Sequence, residues 1–599
     1  MSPAQYLPAL VLEQSLGDPW LADNSLSYAT ALQLDEEDAF PEAQVTTLNA
    51  LGLHKGYVPH GYGGSFRNSE TFLALGRVLA RRNMSVAVAY STMLWSTLGW
   101  LGGNERQKHE MARWIMQAGS FPCLAYSEAD HGADLSANQL TATLNDDGSY
   151  TLNGEKWPIN RAIRSGFLVL LARTEQGAHL RNHSLFIVAK DQLDSQCYYH
   201  LPRIKTHGLK GCDISGIGFR HCVIPASCRV GLEGHGLELA LRGFQVTRTY
   251  CTALSLGVGD GALRVAAEHA ANRQLYGTTI DQLPHTRDVL ANAYLSQRLA
   301  ECLSIVTARG LHVFPELYSS WSSIAKVQAS QLVDFACKEL SGVLGARFYM
   351  RDQHGVGMFQ KFVRDGAVVS IFDGSTAVCL DSLATLLDTL TRDGEPPPTQ
   401  DMLRALFDLE HDLPDLDYDR VKIYSRASDP LLRALPQLVQ RLETLAACND
   451  CDTATLYRLQ ASTRRFMARV DGLKVQIAQA RQRGGRNSAL RFAQAQSYCA
   501  VFTVAACLGL WLFNREKFGR AFKTGQWLEA ALNRELGATF RTGALDPTLT
   551  DALFAQLDAQ RRRGDMFSLL NWPLAEPGQR EHLHGFDLDK EYRFEPLAR

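Results

Sequence analysis

Between Cys123 and Pro225 the spacing of apolar residues turns from helical to alternating, and beyond it the helical spacing returns. From about Pro41 to Gly119 apolar positions recur at helical intervals. Leu140-Thr-Ala-Thr-Leu144 then alternates, Asn145-Asp-Asp-Gly148 supplies a turn, and Tyr150-Thr-Leu152 alternates again. Asn153-Gly154 reads as a second turn. Gly166-Phe-Leu-Val-Leu-Leu-Ala172 and Ser184-Leu-Phe-Ile-Val-Ala189 are apolar throughout, as strands buried on both faces are. Later, Ala325, Ala329, Leu332, Ala336, Leu340 and Val343 fall on one face of a helix. Helices, then strands, then helices imply an α+β fold with a separate β domain, not a doubly wound sheet.

With 599 residues the chain exceeds one ordinary core. The pattern predicts an N-terminal helical domain over 1–120, a middle β domain of barrel-like form over 121–230, a helical bundle over 231–393 and a helical extension over 400–599. Gly394-Glu-Pro-Pro-Pro-Thr399 marks the last boundary, because prolines stop a helix and stiffen a spacer. Gly484-Gly485 and Gly564 break the extension further. There is no internal repeat. A net charge of −2 argues against a chain built throughout to coat nucleic acid. Thirteen scattered cysteines argue against a disulfide framework and for a reducing compartment. Cys448-Asn-Asp-Cys451 is a lone C-x-x-C without the second pair a zinc site needs, and no metal is expected. Met1–Trp20 has no basic start followed by an apolar run, so a cytoplasmic location is expected. Met84–Gly103 and Tyr498–Phe513 are apolar; the first is diluted by hydroxyls and glycines, and the second is shorter than the ~20 residues that span a bilayer, so both read as buried helices.

Chemistry enters at Leu124-Ala-Tyr-Ser-Glu-Ala-Asp-His-Gly-Ala-Asp134, a loop of small residues where backbone N–H groups can approach a cofactor. Gly154-Glu-Lys-Trp-Pro-Ile-Asn160 follows at a fixed interval. Thr247-Arg248, Asn272-Arg-Gln-Leu-Tyr-Gly277, Gly342-Val-Leu-Gly-Ala346 and Ile371-Phe-Asp-Gly-Ser-Thr376 complete the set. Together these segments resemble the motifs of the acyl-CoA dehydrogenase family, in a long form with an extra C-terminal helical domain. The resemblance implies FAD as cofactor. Tyr126, Ser127, Gly132, Ala133, Pro158, Ile159 and Asn160 would then lie along the flavin, with Pro158 where the family usually has tryptophan and Asn160 in place of a threonine. Arg273 and Tyr276 would reach the pyrophosphate or adenine of a neighbouring subunit's FAD, a role that suits the guanidinium fork. Gly342, Gly345 and Ala346 would receive the nucleotide part, with Ser375 also at the cofactor. Thr247, Arg248 and Gly374 would line the acyl-thioester pocket.

Asp373 stands where many family members carry a catalytic glutamate, some nine residues after Arg364-Asp365. The implied reaction is α,β-dehydrogenation of an acyl thioester, CoA-linked or carrier-protein-bound, to the 2,3-enoyl thioester. Aspartate is one methylene shorter than glutamate, and proton abstraction demands hydrogen-bond contact. Two other readings stand beside this one. A same-fold flavin oxidase or oxygenase would differ in oxygen access. A nucleic-acid-binding flavoprotein of the alkylation-response type would use the basic run Arg464, Arg465, Arg469, Lys474, Arg481, Arg483, Arg486 and Arg491; Pro284-His285, in place of the usual glutamine, points the same way. A solvated helix face is the plainer reading of that run. A homo-oligomer is expected.

Overall fold

The structure, a computed structural model, describes residues 3–575 apart from 176–180, 352–353, 448–452, 483–488 and 535–544. The Cys448/Cys451 pair, Gly484-Gly485, Arg483 and Arg486 lie outside the described residues. Seven α-helices come first: α1 Leu7–Leu16, α2 Tyr28–Glu37, α3 Glu42–Ala50, α4 Ser69–Ala80, α5 Met84–Ser91, α6 Thr97–Gly102 and α7 Glu105–Ala118. Their starts are written in the sequence. Asn68 and Asn104 each accept a backbone N–H from the first turn of α4 and α7, and Gln107 returns a bond to Asn104 to close a capping box.

Eight strands follow: β1 Pro122–Ala125, β2 Thr141–Leu144, β3 Tyr150–Asn160, β4 Phe167–Arg173, β5 His183–Ala189, β6 Tyr198–Leu201, β7 Ile214–Ile224 and β8 Arg229–Val230. They form one mixed sheet in the order β6-β7-β3-β2-β4-β5-β8, with β1 pairing parallel to β4. The apolar runs of β4 and β5 are buried on both faces because each face meets a different core. Phe167, Val169 and Leu171 point into the helical core, while Leu168, Leu170 and Ala172 point into the core of the sheet itself. The Asn145–Gly148 turn forms as predicted, with the Gly148 N–H bonded to Asn145 O at 2.9 Å. Asn153-Gly154 does not turn the chain. Both residues sit inside β3, where the pairing with β7 shifts register and Gly154 adopts φ 123°. A glycine is needed there, since a Cβ would sit 3.0 Å from Leu140 Cα. Cys197 and Cys222 are disulfide-bonded, brought side by side by the β6–β7 pairing, so one bond exists where the scatter of cysteines gave no sign of it. The nine other described cysteines are free.

The bundle comprises α8 Gly236–Asn272, α9 Pro284–Val313, α10 Tyr318–Leu344, α11 His354–Gly366 and α12 Thr376–Leu390, with a small hairpin of β9 Gln274–Leu275 and β10 Thr278–Thr279 after α8. The extension adds α13 Gln400–Phe407, α14 Pro430–Ala447, α15 Thr453–Gln482, α16 Ala489–Asn514, α17 Arg520–Lys523, α18 Gln526–Asn533 and α19 Pro547–Arg563. Its apolar side chains join the core of the bundle instead of forming their own, with α16 and α19 packed along α9. Among the described residues α16 is the one helix long and apolar enough to cross a membrane, and 83% of its most apolar window is buried in protein. Four cations of the basic run are bonded within the chain: Arg465 reaches Asn533, Arg469 caps carbonyls at Leu532 and Arg534, Lys474 pairs with Asp393 and buried Arg491 with Asp388; Arg464 and Arg481 are exposed.

A buried charge cluster ties the extension to the rest. Arg77 on α4 binds Asp260 of α8 at 2.6 Å and Glu301 of α9 at 2.5 Å. Glu301 also accepts the Leu569 N–H at 2.7 Å and the Ser568 hydroxyl, and Arg77 donates to Phe567 O at 3.2 Å. The strap after α19 is thereby pinned inside the protein. Arg77→Met would leave buried Asp260 without its cation and Glu301 with only the longer pair to Arg298 at 3.9 Å, at a cost of about 3–5 kcal/mol. Urea unfolding should show the loss as a lower midpoint; an unchanged midpoint would mean that the cluster does not hold the strap.

Candidate active site

Asp373 lies in the turn before α12, and it and Gly374 are both left-handed, with φ 54° and 86°. Glycine meets that geometry freely, whereas aspartate bears a cost of ~1 kcal/mol. Ser375 then caps α12 by accepting the Val378 N–H. The turn is wedged between two long helices. From α8, the Thr247 hydroxyl donates to Asp373 Oδ2 at 2.9 Å, Cys251 Sγ donates to the same oxygen at 3.6 Å, and Arg248 Nε donates to Asp373 O at 2.9 Å. From α10, Lys326 Nζ donates to Gly374 O, while Ser323 Oγ accepts from Arg248 at 3.1 Å. Burial pushes the Asp373 carboxyl above its ordinary pKa, against the pull of Lys326, the Thr247 hydroxyl and Arg248. Burial likewise pulls the Lys326 ammonium down, against Cys251 and Asp373.

Thr247, Arg248, Gly374 and Asp373, named from sequence, therefore meet at one point. Cys251 and Lys326 belong there too and were not anticipated. Cys251 is one helical turn after Thr247, so the spacing alone places it on the same face. Lys326 is the one charged residue between Glu316 and Asp334, a buried cation that had to find carbonyls or an anion.

One turn before Thr247, the Phe244 ring packs edge-on against Tyr126 at 6.0 Å and Trp95 at 6.2 Å. Tyr126 opens the loop after β1. Its carbonyl accepts from Asn138 at 2.6 Å and from Lys156 Nζ at 3.0 Å. Lys156 bonds Glu128 at 2.8 Å, and Glu128 gathers the N–H groups of Gln139 and Leu140 at 2.7 and 2.9 Å. Burial lowers the Lys156 pKa to about 8 despite that carboxylate. The Trp157 N–H donates to Ser127 O at 2.9 Å, which joins the two predicted flavin segments edge to edge. Gly132, Ala133 and Pro158 are exposed, Ile159 is buried, and Asn160 donates to Val88 O at 3.2 Å. The Asn160 Oδ1 and Tyr126 hydroxyl are buried without a hydrogen-bond partner.

Arg273, Tyr276, Gly342, Gly345 and Ala346 are not brought to Asp373. Arg273 caps the far end of α8, 25 residues after Arg248, roughly 37 Å along the helix axis. Tyr276 is 91% exposed with φ 55°. Gly342, Gly345 and Ala346 are exposed at the end of α10. Arg273 and Arg347 both act on buried His269, whose pKa falls to about 4, first from burial and then from these two charges. The two ends thus make one cationic, aromatic surface remote from the carboxylate of the same chain.

The chain matches the acyl-CoA dehydrogenase N-terminal domain over residues 21–117, the middle domain over 123–222 and the C-terminal domain over 234–387. A probable acyl-CoA dehydrogenase FadE25 of Mycobacterium tuberculosis is 25% identical over 350 residues, 58% of this chain and 88% of that one. The cyclohex-1-ene-1-carbonyl-CoA dehydrogenase of Geobacter metallireducens is 26% identical over 352 residues, 58% of this chain and 90% of that one. In fold, the chain is similar to the butyryl-CoA dehydrogenase of Megasphaera elsdenii, with TM-score 0.59 and 22% identity over 63% of this chain and 97% of that one. An acyl-CoA dehydrogenase of Bacillus anthracis, solved with FAD, reaches TM-score 0.66 at 18% identity and covers 92% of this chain and 94% of its own, so the extension's fold is shared as well. The chain belongs to the acyl-CoA dehydrogenase family and is an FAD-dependent oxidoreductase of that type.

Lys156→Met would leave Glu128 buried without its cation and Tyr126 O without one donor. The expected result is a lower flavin content per purified chain and a lower unfolding midpoint, by about 3 kcal/mol. Wild-type flavin content would show that the pair does not shape the loop.

Proposed function

We propose that the protein dehydrogenates an acyl thioester between Cα and Cβ, with Asp373 as the base that removes the α-proton. The observation that carries this reading is the half-buried Asp373 carboxyl, anchored through Oδ2 by Thr247 and Cys251, with no hydrogen bond to Oδ1 from any of the described residues. One oxygen is held and the other is left for substrate. The raised pKa of the carboxyl brings it nearer to the acidity of its task. Aspartate reaches less far than glutamate, and its turn is bonded directly to α8 through Thr247 and Arg248. A developing enolate needs hydrogen-bond donors at the thioester oxygen, and in this reading the Asp373 N–H would serve as one.

The residues present fit FAD. Asn160 Oδ1 is an acceptor with no partner, and positions 132, 342 and 345 are glycines with nothing within 4 Å of where a Cβ would stand. Ser127, Pro158, Ile159 and Asn160 would hold the ring; when bound, the flavin supplies the acceptor for the β-hydride. Arg273, Tyr276, Gly342, Gly345 and Ala346, too far along the bundle to serve the same chain's carboxylate, would hold the nucleotide part across a subunit contact, which makes a homo-oligomer part of the reading. The acyl carrier is CoA or a carrier protein; the likeness to a prolyl acyl carrier protein oxidase, AnaB, is one of fold at 17% identity and TM-score 0.58.

Anaerobic addition of acyl-CoA and acyl-carrier substrates should bleach the flavin band for the accepted class. Asp373→Asn should keep flavin and bind substrate yet bleach 10²–10⁴-fold more slowly, the span of a general base. Bleaching at the wild-type rate would remove Asp373 from the role. In the wild-type protein the rate should rise with pH through a midpoint above the ordinary aspartate value of ~3.9, because only the ionised carboxylate accepts the proton.

A further inference from the structure

Beneath Asp373, two cations from different helices each grip one of two successive carbonyls. Arg248 of α8 donates to Asp373 O at 2.9 Å, and Lys326 of α10 donates to Gly374 O. Both residues whose carbonyls are gripped are left-handed. A Cβ on Gly374 would meet Arg248 Nη2 at 2.7 Å, so the guanidinium lies close against this backbone. The Lys326 ammonium also stands over the Phe372 ring, 5.5 Å from its centroid. It is 2% exposed, and no ion pair joins it to a carboxylate among the described residues. Cys251, Asp373 and Cys379 act on its charge, and of these Asp373 alone is a carboxylate.

An α-helical lysine of this kind has a costly place. A buried ammonium is tolerated only where fixed partners repay its lost hydration. Its hydrogen bond goes to the turn carrying the carboxylate, and its charge acts on that carboxylate. We infer that Lys326 is a positioning residue for the base: it holds the Asp373–Gly374 turn in its left-handed form and sets the pH range over which the carboxylate is ionised. Arg248 alone does not suffice, because it fixes only the first of the two carbonyls. This inference rests on the dehydrogenase reading for its kinetic part, but its structural part does not.

The groups that bear on the Asp373 carboxyl are Thr247, Arg248 and Cys251 from α8 and Lys326 from α10; on Lys326, Cys379 of α12 acts as well. Removing the ammonium takes away the foremost charge favouring the ionised form. The acid limb of the rate profile must therefore move to higher pH, never to lower. Lys326→Met keeps the length and the contact with Phe372 but has neither charge nor donor. Lys326→Arg keeps both.

Three measurements decide the matter. In holoenzyme, single-turnover flavin reduction by the accepted thioester should slow at least tenfold in Lys326→Met at pH 7, with the acid limb shifted up by at least half a unit and substrate affinity changed less than threefold. Lys326→Arg should recover most of the rate. Hydrogen exchange followed by mass spectrometry should show faster exchange in peptides spanning 368–380 for Lys326→Met, and not for Lys326→Arg. A Lys326→Met protein with a wild-type rate, limb and exchange pattern overturns the inference. So does equal loss in both variants, which would mark the residue as packing alone. Should Lys326→Met fail to bind flavin, the arginine variant's limb and exchange pattern decide: wild-type values support the positioning role, and disturbed values overturn it. If no thioester reduces the wild-type flavin, the dehydrogenase reading fails, while the exchange comparison still tests the grip on the turn.

Discussion

A carboxylate on a left-handed turn must be held from outside, because its own backbone does not favour the conformation. Here the hold comes from α8 and α10 together, through Thr247, Arg248, Cys251 and Lys326. Among the described residues, α8 and α10 make the most extensive contact between two helices, and α10 against α9 comes next. The rigidity of the bundle is thus delivered to one side chain. The same helix α8 passes Phe244 to Tyr126, so the turn and the flavin-side loop are referenced to one rod. Precision of this sort is what proton abstraction from a weak carbon acid requires, since a displacement of ~1 Å can cost about a hundredfold.

The order of helices, sheet and helices was legible because periods of 3.6 and 2 do not mimic each other. The two flavin-side segments meet in the backbone at Ser127 and Trp157, a pairing that their spacing in the sequence did not predict. Asn153-Gly154 misled because the same dipeptide serves a hairpin turn and a bulge, and only the neighbouring strand β7 distinguishes them. Lys326 was invisible for a related reason. A lone lysine among serines and alanines says nothing of which carbonyl it will reach, and that partner is 48 residues away in sequence. The basic run of the extension had the composition of a phosphate-binding stripe, but four of its cations are bound to carboxylates, amides or carbonyls of the same chain.

The extension is more than an appended module. Its core is continuous with that of the bundle, and its last described strap reaches Glu301, Arg77 and, through the Ala575 N–H, Glu13 of α1. Its segment around Tyr418–Lys422 accepts hydrogen bonds from Arg242 and Gln245, just before the Thr247-Arg248 pair. The helix that carries the site is therefore braced on one flank by the sheet domain and on another by residues that shorter relatives of the family do not span. Buried ion pairs are weak sources of net stability but strong selectors of one arrangement, and this chain uses them where its ends meet its centre.

In the proposed reaction, the Asp373 carboxylate takes a proton from the carbon next to a thioester. The most direct test is a single-turnover comparison of an accepted acyl thioester with the same compound deuterated at Cα, in the absence of oxygen. Flavin reduction slowed several-fold by the deuterium, with the 2,3-enoyl thioester as product, is the result this account predicts. Reduction at the same rate with a product that retains both Cα deuterons would contradict it.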